Sequence, residues 1–101
     1  MPRVYAARMS EQRIALSGEL DFTRKEEIGG LFDSLTVEAP ATVDLSGVSF
    51  IDASFLTALT VHRSRFNNVP ITLYGARNQT KRVLELVGFD RLFRMMACTC
   101  G

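Results

Sequence analysis

The chain has 101 residues, 47% of them apolar and 23% charged, the proportions of one ordinary globular domain built around a single core. Its formal net charge is +1 and its twelve Lys and Arg are scattered, which excludes the concentrated basic surface that neutralises a phosphate backbone; no nucleic acid is expected as a partner. The opening stretch MPRVYAARMS carries Arg3 and Arg8 with no apolar run behind them, so neither a secretory signal nor direct membrane insertion is expected and the default location is cytoplasmic.

Residues 3 to 20 read as two short strands around Ser10-Glu11-Gln12, an antiparallel hairpin in whose second strand Ile14 and Leu16 alternate with Arg13, Ala15 and Ser17. Gly18-Glu19-Leu20-Asp21 ends it. Asp21 has the chemistry of an N-cap, and Ile28, Leu31, Phe32 and Leu35 then stand at i, i+3, i+4 and i+7, so a first helix begins near Phe22. Gly29-Gly30 inside that pattern costs about 1 kcal/mol per glycine relative to alanine, which implies either close backbone approach or a locally soft helix.

Pro40 restarts the chain, and Ala41-Thr42-Val43-Asp44-Leu45, bounded by Ser46-Gly47, reads as an interior strand. Asp44 within it is expected to bond backbone amides near the turn. A second helix follows from about Ala53 to Phe66, the turn Asn67-Asn68-Val69-Pro70 closes it, and Ile71-Thr72-Leu73-Tyr74 is another strand; if the two strands are parallel their crossover is right-handed. Gly75 to Asn78 is a loop. Val83, Leu84 and Val87 mark a third helix that stops at Gly88, a left-handed cap followed by apolar Phe89. The tail from Arg91 to Gly101 admits a last strand or a short helix. The order β-β-α-β-α-β-α predicts a single α/β domain over residues 1–101, with a mixed sheet of four or five strands and about three helices packed mainly on one face.

Reactive motifs are few. Gly18, Gly47 and Gly75 form neither a GxGxxG nor a GxxxxGK[ST] loop, there is no GxSxG elbow, and no cofactor is implied. Cys98 and Cys100 are too close for an unstrained disulfide and lack the second pair of a zinc site, so they read as free thiols without a metal. His62 is the single histidine and falls on the apolar stripe with Phe55, Ala58, Leu59 and Phe66, where a packed ring is expected rather than a ligand or base. The chain is therefore not expected to be an enzyme.

One stretch invites a sharper reading. In Phe50-Ile51-Asp52-Ala53-Ser54-Phe55-Leu56, Asp52 suits an N-cap and Ser54 falls in the first helical turn, where amide hydrogens lack intrahelical partners and the helix dipole favours negative charge. By position alone Ser54 is a helix-terminus residue or a site that receives phosphate.

Four stretches together resemble the STAS family: Leu16 to Asp21 after the second strand, Val43 to Asp52 into the second helix, Ser54 to Leu59, and Val83 to Phe89. In that family, the domain of bacterial anti-sigma factor antagonists, the strand-to-helix turn usually reads Asp, Ser, Ser or Thr, Gly, Leu, and the second hydroxyl accepts phosphate from a kinase that doubles as the anti-sigma factor. The resemblance places Ser54 on that acceptor and Asp52 on the motif's aspartate. It implies that the unmodified chain binds an anti-sigma factor with serine kinase activity, releasing a sigma factor, that phosphate on Ser54 breaks the complex, and that a serine phosphatase resets it. Asp21, Asp52, Ala53, Ser54, Phe55, Leu56, Arg77 and Asn78 are the expected partner-binding residues. Two positions depart from the pattern: Ala53 replaces the first hydroxyl, and Phe55 replaces glycine, where it would either crowd a kinase or anchor the docking surface. These departures sustain an alternative, an accessory subunit that regulates an ABC transporter ATPase without a phosphorylation switch.

Overall fold

The computed structural model describes residues 12–66 and 69–97. The expected strand before Ser10, the residues Asn67 and Asn68, and the Cys98 and Cys100 thiols lie outside them. Strand β1 is Gln12–Leu20. Gln12, read from the sequence as part of a turn, instead opens this strand, because its amide donates to Pro40 O at 3.1 Å while its side chain exchanges hydrogen bonds with the Thr36 backbone at 2.7 and 2.8 Å. Ile14, Leu16 and Leu20 are buried and Arg13, Ala15 and Ser17 exposed, the alternation expected of a strand with one covered face.

A 3-10 turn, Phe22–Arg24, leads into helix α1, Lys25–Asp33. Asp21 caps the turn, its carboxylate accepting from the Thr23 amide at 3.0 Å. Ile28, Phe32 and Leu35 are buried as the stripe requires. Side chains added at Gly29 or Gly30 would meet no atom within 4 Å, so close backbone approach is not what these glycines serve.

Strand β2 runs from Ala41 to Ile51, past the expected stop at Ser46-Gly47. Pairing with β1 persists to Leu20↔Ile51, and register shifts between Ala15 and Ser17 and between Gly18 and Glu19 absorb the extra residues. Ser46-Gly47 is therefore accommodated in a bulge rather than a turn. Helix α2 is Ala53–Ser64, β3 is Ile71–Tyr74 and α3 is Asn78–Leu86. Gly88, at φ 84°, ends the third helix in the expected left-handed conformation, with Phe89 buried behind it. The tail holds both of the forms anticipated for it, a single helical turn α4 (Phe89–Leu92) and then strand β4 (Arg94–Met96).

The four described strands form one sheet in the order β1-β2-β3-β4, each neighbour parallel. Among the described residues the sheet is therefore parallel rather than mixed, and the antiparallel strand expected before Ser10 lies outside them. Ile28 and Phe32 of α1, Phe55 and Leu59 of α2 and Leu84 of α3 join Val43, Leu45 and Leu73 of the sheet in one core. Burial of a side chain of this size contributes about 1.5–3 kcal/mol. On the opposite face Arg13 pairs with Asp44 at 2.9 Å and its guanidinium lies 5.0 Å from the centre of the Tyr74 ring. Asp44 also accepts from the Ser46 amide and hydroxyl, the backbone-bonding role expected of it. Burial opposes its ionisation, but the Ser46 bonds and Arg13 together hold its carboxyl below the usual range. Because β1 and β2 are parallel, both deliver their ends, Leu20-Asp21 and Ile51-Asp52, to the same edge of the domain.

Two glycine substitutions should move stability in opposite directions. Gly75 has φ +77°, and a Cβ there would lie 2.9 Å from Ser46 Cβ, so Gly75→Ala should destabilise by about 2 kcal/mol. Gly30→Ala, in open space within α1, should stabilise by about 0.5–1 kcal/mol. Urea unfolding midpoints test both, and a stabilised Gly75→Ala variant would refute the packing described at Ser46.

Candidate partner-docking site at the start of α2

Asp52 organises the site. Its backbone is extended (φ −116°, ψ −179°), and Oδ1 accepts from the Phe55 amide at 3.1 Å and from Ser54 Oγ at 2.6 Å, while Oδ2 accepts from the Phe22 amide at 3.2 Å. One carboxylate thus satisfies an orphan amide of α2 and another in the turn before α1. The Ser54 hydroxyl first, then the backbone amides, lower its pKa from the usual 3.8 against the opposing effect of desolvation.

Ser54 is half-buried and lies at one end of an apolar groove between α1 and α2, lined by Phe22, Lys25, Gly29, Thr57, Val61 and His62. Phe22 is 67% exposed and Val61 55% exposed, so the rim presents apolar surface to solvent. His62 is stacked on Phe32, ring centres 4.5 Å apart and planes 6° from parallel, the packed ring that the sequence stripe implied. Its Nδ1 lies 3.2 Å from Arg65 Nη1. A guanidinium has no acceptor, so Nδ1 accepts and the ring is neutral with its proton on Nε2. Burial, then the nearby Arg65 charge, depresses the His62 pKa, in keeping with that state.

The remaining expected site residues divide. Asp21 is a half-buried cap, Ala53 is exposed beside Ser54, and Leu56 is half-buried against the core. Phe55 is 3% exposed: one residue along the helix from Ser54 turns its side chain into the core, where it can neither crowd Ser54 nor offer area to a partner. That corrects the expectation of an aromatic anchor on the docking surface. Arg77 and Asn78 line a separate polar depression with Ser46 to Ser49 and share no residue with the groove. Phe22, Lys25, Thr57 and Val61 were not singled out from the sequence. Phe22 could have been, since it stands off the Ile28-Phe32-Leu35 stripe.

Among the described residues, no three His, Cys, Asp or Glu side chains converge to hold a metal ion, and no helix is long and apolar enough to cross a membrane.

The hydrogen bond from Ser54 makes a titration test. A carboxyl whose folded pKa is depressed contributes stability that is present above its ordinary value and lost as pH falls through the folded one. Ser54→Ala removes the largest cause, so Asp52 should titrate closer to 3.8 and the variant should lose less stability below that pH than the parent. Carboxyl-carbon NMR over roughly pH 2 to 6 reads this directly. An Asp52 titration identical in both proteins would remove Ser54 from the account.

A search among curated proteins finds no match to the chain. The family model described as "Mlab, STAS domain" matches residues 4–96. With that match covering nearly the whole length, and with the strand-to-helix turn and its Asp52-Ser54 pair in place, the chain belongs to the STAS-domain family.

Proposed function

We infer that the chain is a non-enzymatic, cytoplasmic interaction module, an anti-sigma factor antagonist that binds an anti-sigma factor with serine kinase activity and is released by phosphorylation of Ser54. One observation carries this reading: the Ser54 hydroxyl stands at the end of an exposed apolar groove, with the residue beside it, Phe55, withdrawn into the core. An unmodified serine leaves the groove free to dock apolar groups of the partner.

Phosphate changes that chemistry. A phosphoserine carries about −1.5 to −2 charges and its ester oxygen has no proton to donate, so the bond to Asp52 is lost and the two anions repel. Repulsion turns the phosphate away from Asp52 towards the groove, whose one cationic lining residue is Lys25. A partner carboxylate about 5 Å away would then face a penalty of roughly 3 kcal/mol per charge pair at an effective dielectric near 20. That is about a hundredfold in affinity.

The departures Ala53 and Phe55 and the apolar groove itself, which can dock a partner without any phosphate, favour a second reading: an accessory subunit that binds and regulates an ABC transporter ATPase. The experiment that separates the two is recovery of the protein from its host, growing and stressed, with copurifying proteins and the state of Ser54 read by mass spectrometry. Under the first reading a kinase-fold partner copurifies, and calorimetry gives an affinity about a hundredfold lower for the phosphorylated chain and about tenfold lower for Ser54→Asp. Equal affinities sink the switch, and a transport ATPase beside unmodified Ser54 replaces the first reading with the second.

A further inference from the structure

His62 lines the groove beside Ser54 and stands near the C-terminal ends of α1 and α2, where Asp33 is the last residue of one helix and Arg65 follows the last residue of the other. Its ring lies flat on Phe32 of α1, the two centres 4.5 Å apart. Its Nδ1 is 3.2 Å from Arg65 Nη1, and the same guanidinium nitrogen is 3.0 Å from Asp33 Oδ1. One nitrogen thus divides its two N–H groups between an imidazole of α2 and a carboxylate of α1. The arrangement requires a neutral ring, because Nδ1 accepts from Arg65 only while it carries no proton.

Among the described residues the charged groups that face this ring are Arg65 from its own helix and, from α1, Asp33 and the groove-lining Lys25. Two of the three are cations. A proton on Nδ1 would set two N–H donors and two positive charges against each other at 3.2 Å, so the two groups would have to part. The ring has reason to stay, since an imidazolium is attracted to the aromatic face on which it already lies. Arg65 has less to hold it. Its side chain is 39% exposed and that of Asp33 68% exposed, so their ion pair is of the surface kind, which is weak in water.

We propose that His62 is a proton-operated latch on the groove: when neutral it holds Arg65 in the bridge to Asp33 that ties α2 to α1, and when protonated it releases Arg65 and leaves a cation in the groove wall. Burial and the Arg65 charge depress the His62 pKa against the opposing pull of Asp33, so the latch is closed at neutral pH. In acid the groove changes in two respects. Its helices are no longer joined at this end, and its apolar lining carries an imidazolium in addition to Lys25, which makes it a poorer bed for apolar surface. That consequence for docking rests on the function proposed for the groove, whereas the latch itself is a property of the free chain.

The test is an NMR titration of the full chain without any partner, labelled with carbon-13 and nitrogen-15, so its result is independent of what docks in the groove. Over roughly pH 4.5 to 8 the His62 ring should start from the Nε2–H form, titrate below 6.5, and carry the Arg65 side-chain signals and the Gly29 and Val61 amides with it at the same midpoint. Arg65→Gln removes the like charge and should raise the midpoint while the Gly29 and Val61 response shrinks; Asp33→Asn removes the opposing charge and should lower it. Both side chains are exposed, so both variants should fold. Because the unfolded chain takes up this proton first, the stability it controls is complete above 6.5 and declines as pH falls from there to the folded midpoint, and urea unfolding should show a smaller decline in Arg65→Gln. A ring that titrates at or above 6.5, that holds its proton on Nδ1 when neutral, or that titrates while Arg65 and Gly29 stay unmoved is a packed histidine without a latch, and each of these results overturns the proposal.

Discussion

The arrangement depends on one carboxylate. Asp21 and Asp52 each follow a strand that ends at the same edge of the sheet, and their backbones are nearly superimposable in dihedral terms, φ −113° and ψ −178° against φ −116° and ψ −179°. Each turns an extended chain into a helical one by accepting an amide of the next turn. Asp52 does more, because it also accepts from the Phe22 amide, thirty positions away in the chain. The start of α2 and the turn before α1 are therefore tied at a single point, and the groove between these two helices opens from that point.

Helical phase then decides what the groove presents. A rise of one residue in α2 rotates the side chain by about 100°, so Ser54 and Phe55 point to different surroundings although they are adjacent. Phe55 goes down among Leu59 and the sheet, and Ser54 stays beside Phe22 and Lys25. A large residue where the family usually has glycine is thus compatible with an open Ser54, because the added volume lies on the core side of the helix. Arg65 binds Asp33 at 3.0 Å while approaching His62, which links the far ends of the same two helices. The groove walls are joined at both ends, by Asp52 at one and by this chain of contacts at the other.

Much of this was legible in the sequence. The stripes of Ile28, Phe32 and Leu35 and of Phe55, Leu59 and Phe66 gave the buried faces of α1 and α2, since a 3.6-residue period has one solution against a sheet. Gly88 and Phe89 marked a helix end because few other residues tolerate that backbone. What was missed has a physical cause in each case. Ser46-Gly47 has turn chemistry, yet cross-strand pairing with β1 outweighs it and carries β2 on to Ile51. The Gln12 clamp on Thr36 and the Asp52 bond to Phe22 join distant parts of the chain, and no local pattern encodes them. The groove escapes a stripe analysis because Ala58 and His62 of the stripe are only part of its lining, and Phe22, Lys25, Thr57 and Val61 lie off the stripes.

The bonding at Asp52 also constrains how a modification here can act. Loss of the Ser54 hydrogen bond leaves the Phe55 and Phe22 amides on the same carboxylate, and the core beneath is held by Phe55, which does not touch the surface. Two of the three contacts to Asp52 and the packing beneath the helix therefore do not depend on the Ser54 hydroxyl. A change at Ser54 acts first on the charge and shape of the surface beside the groove. Asp52 anchors the start of α2 and Ser54, two positions on, lines the groove: close enough for one to orient the other, yet distinct in which of them carries the fold.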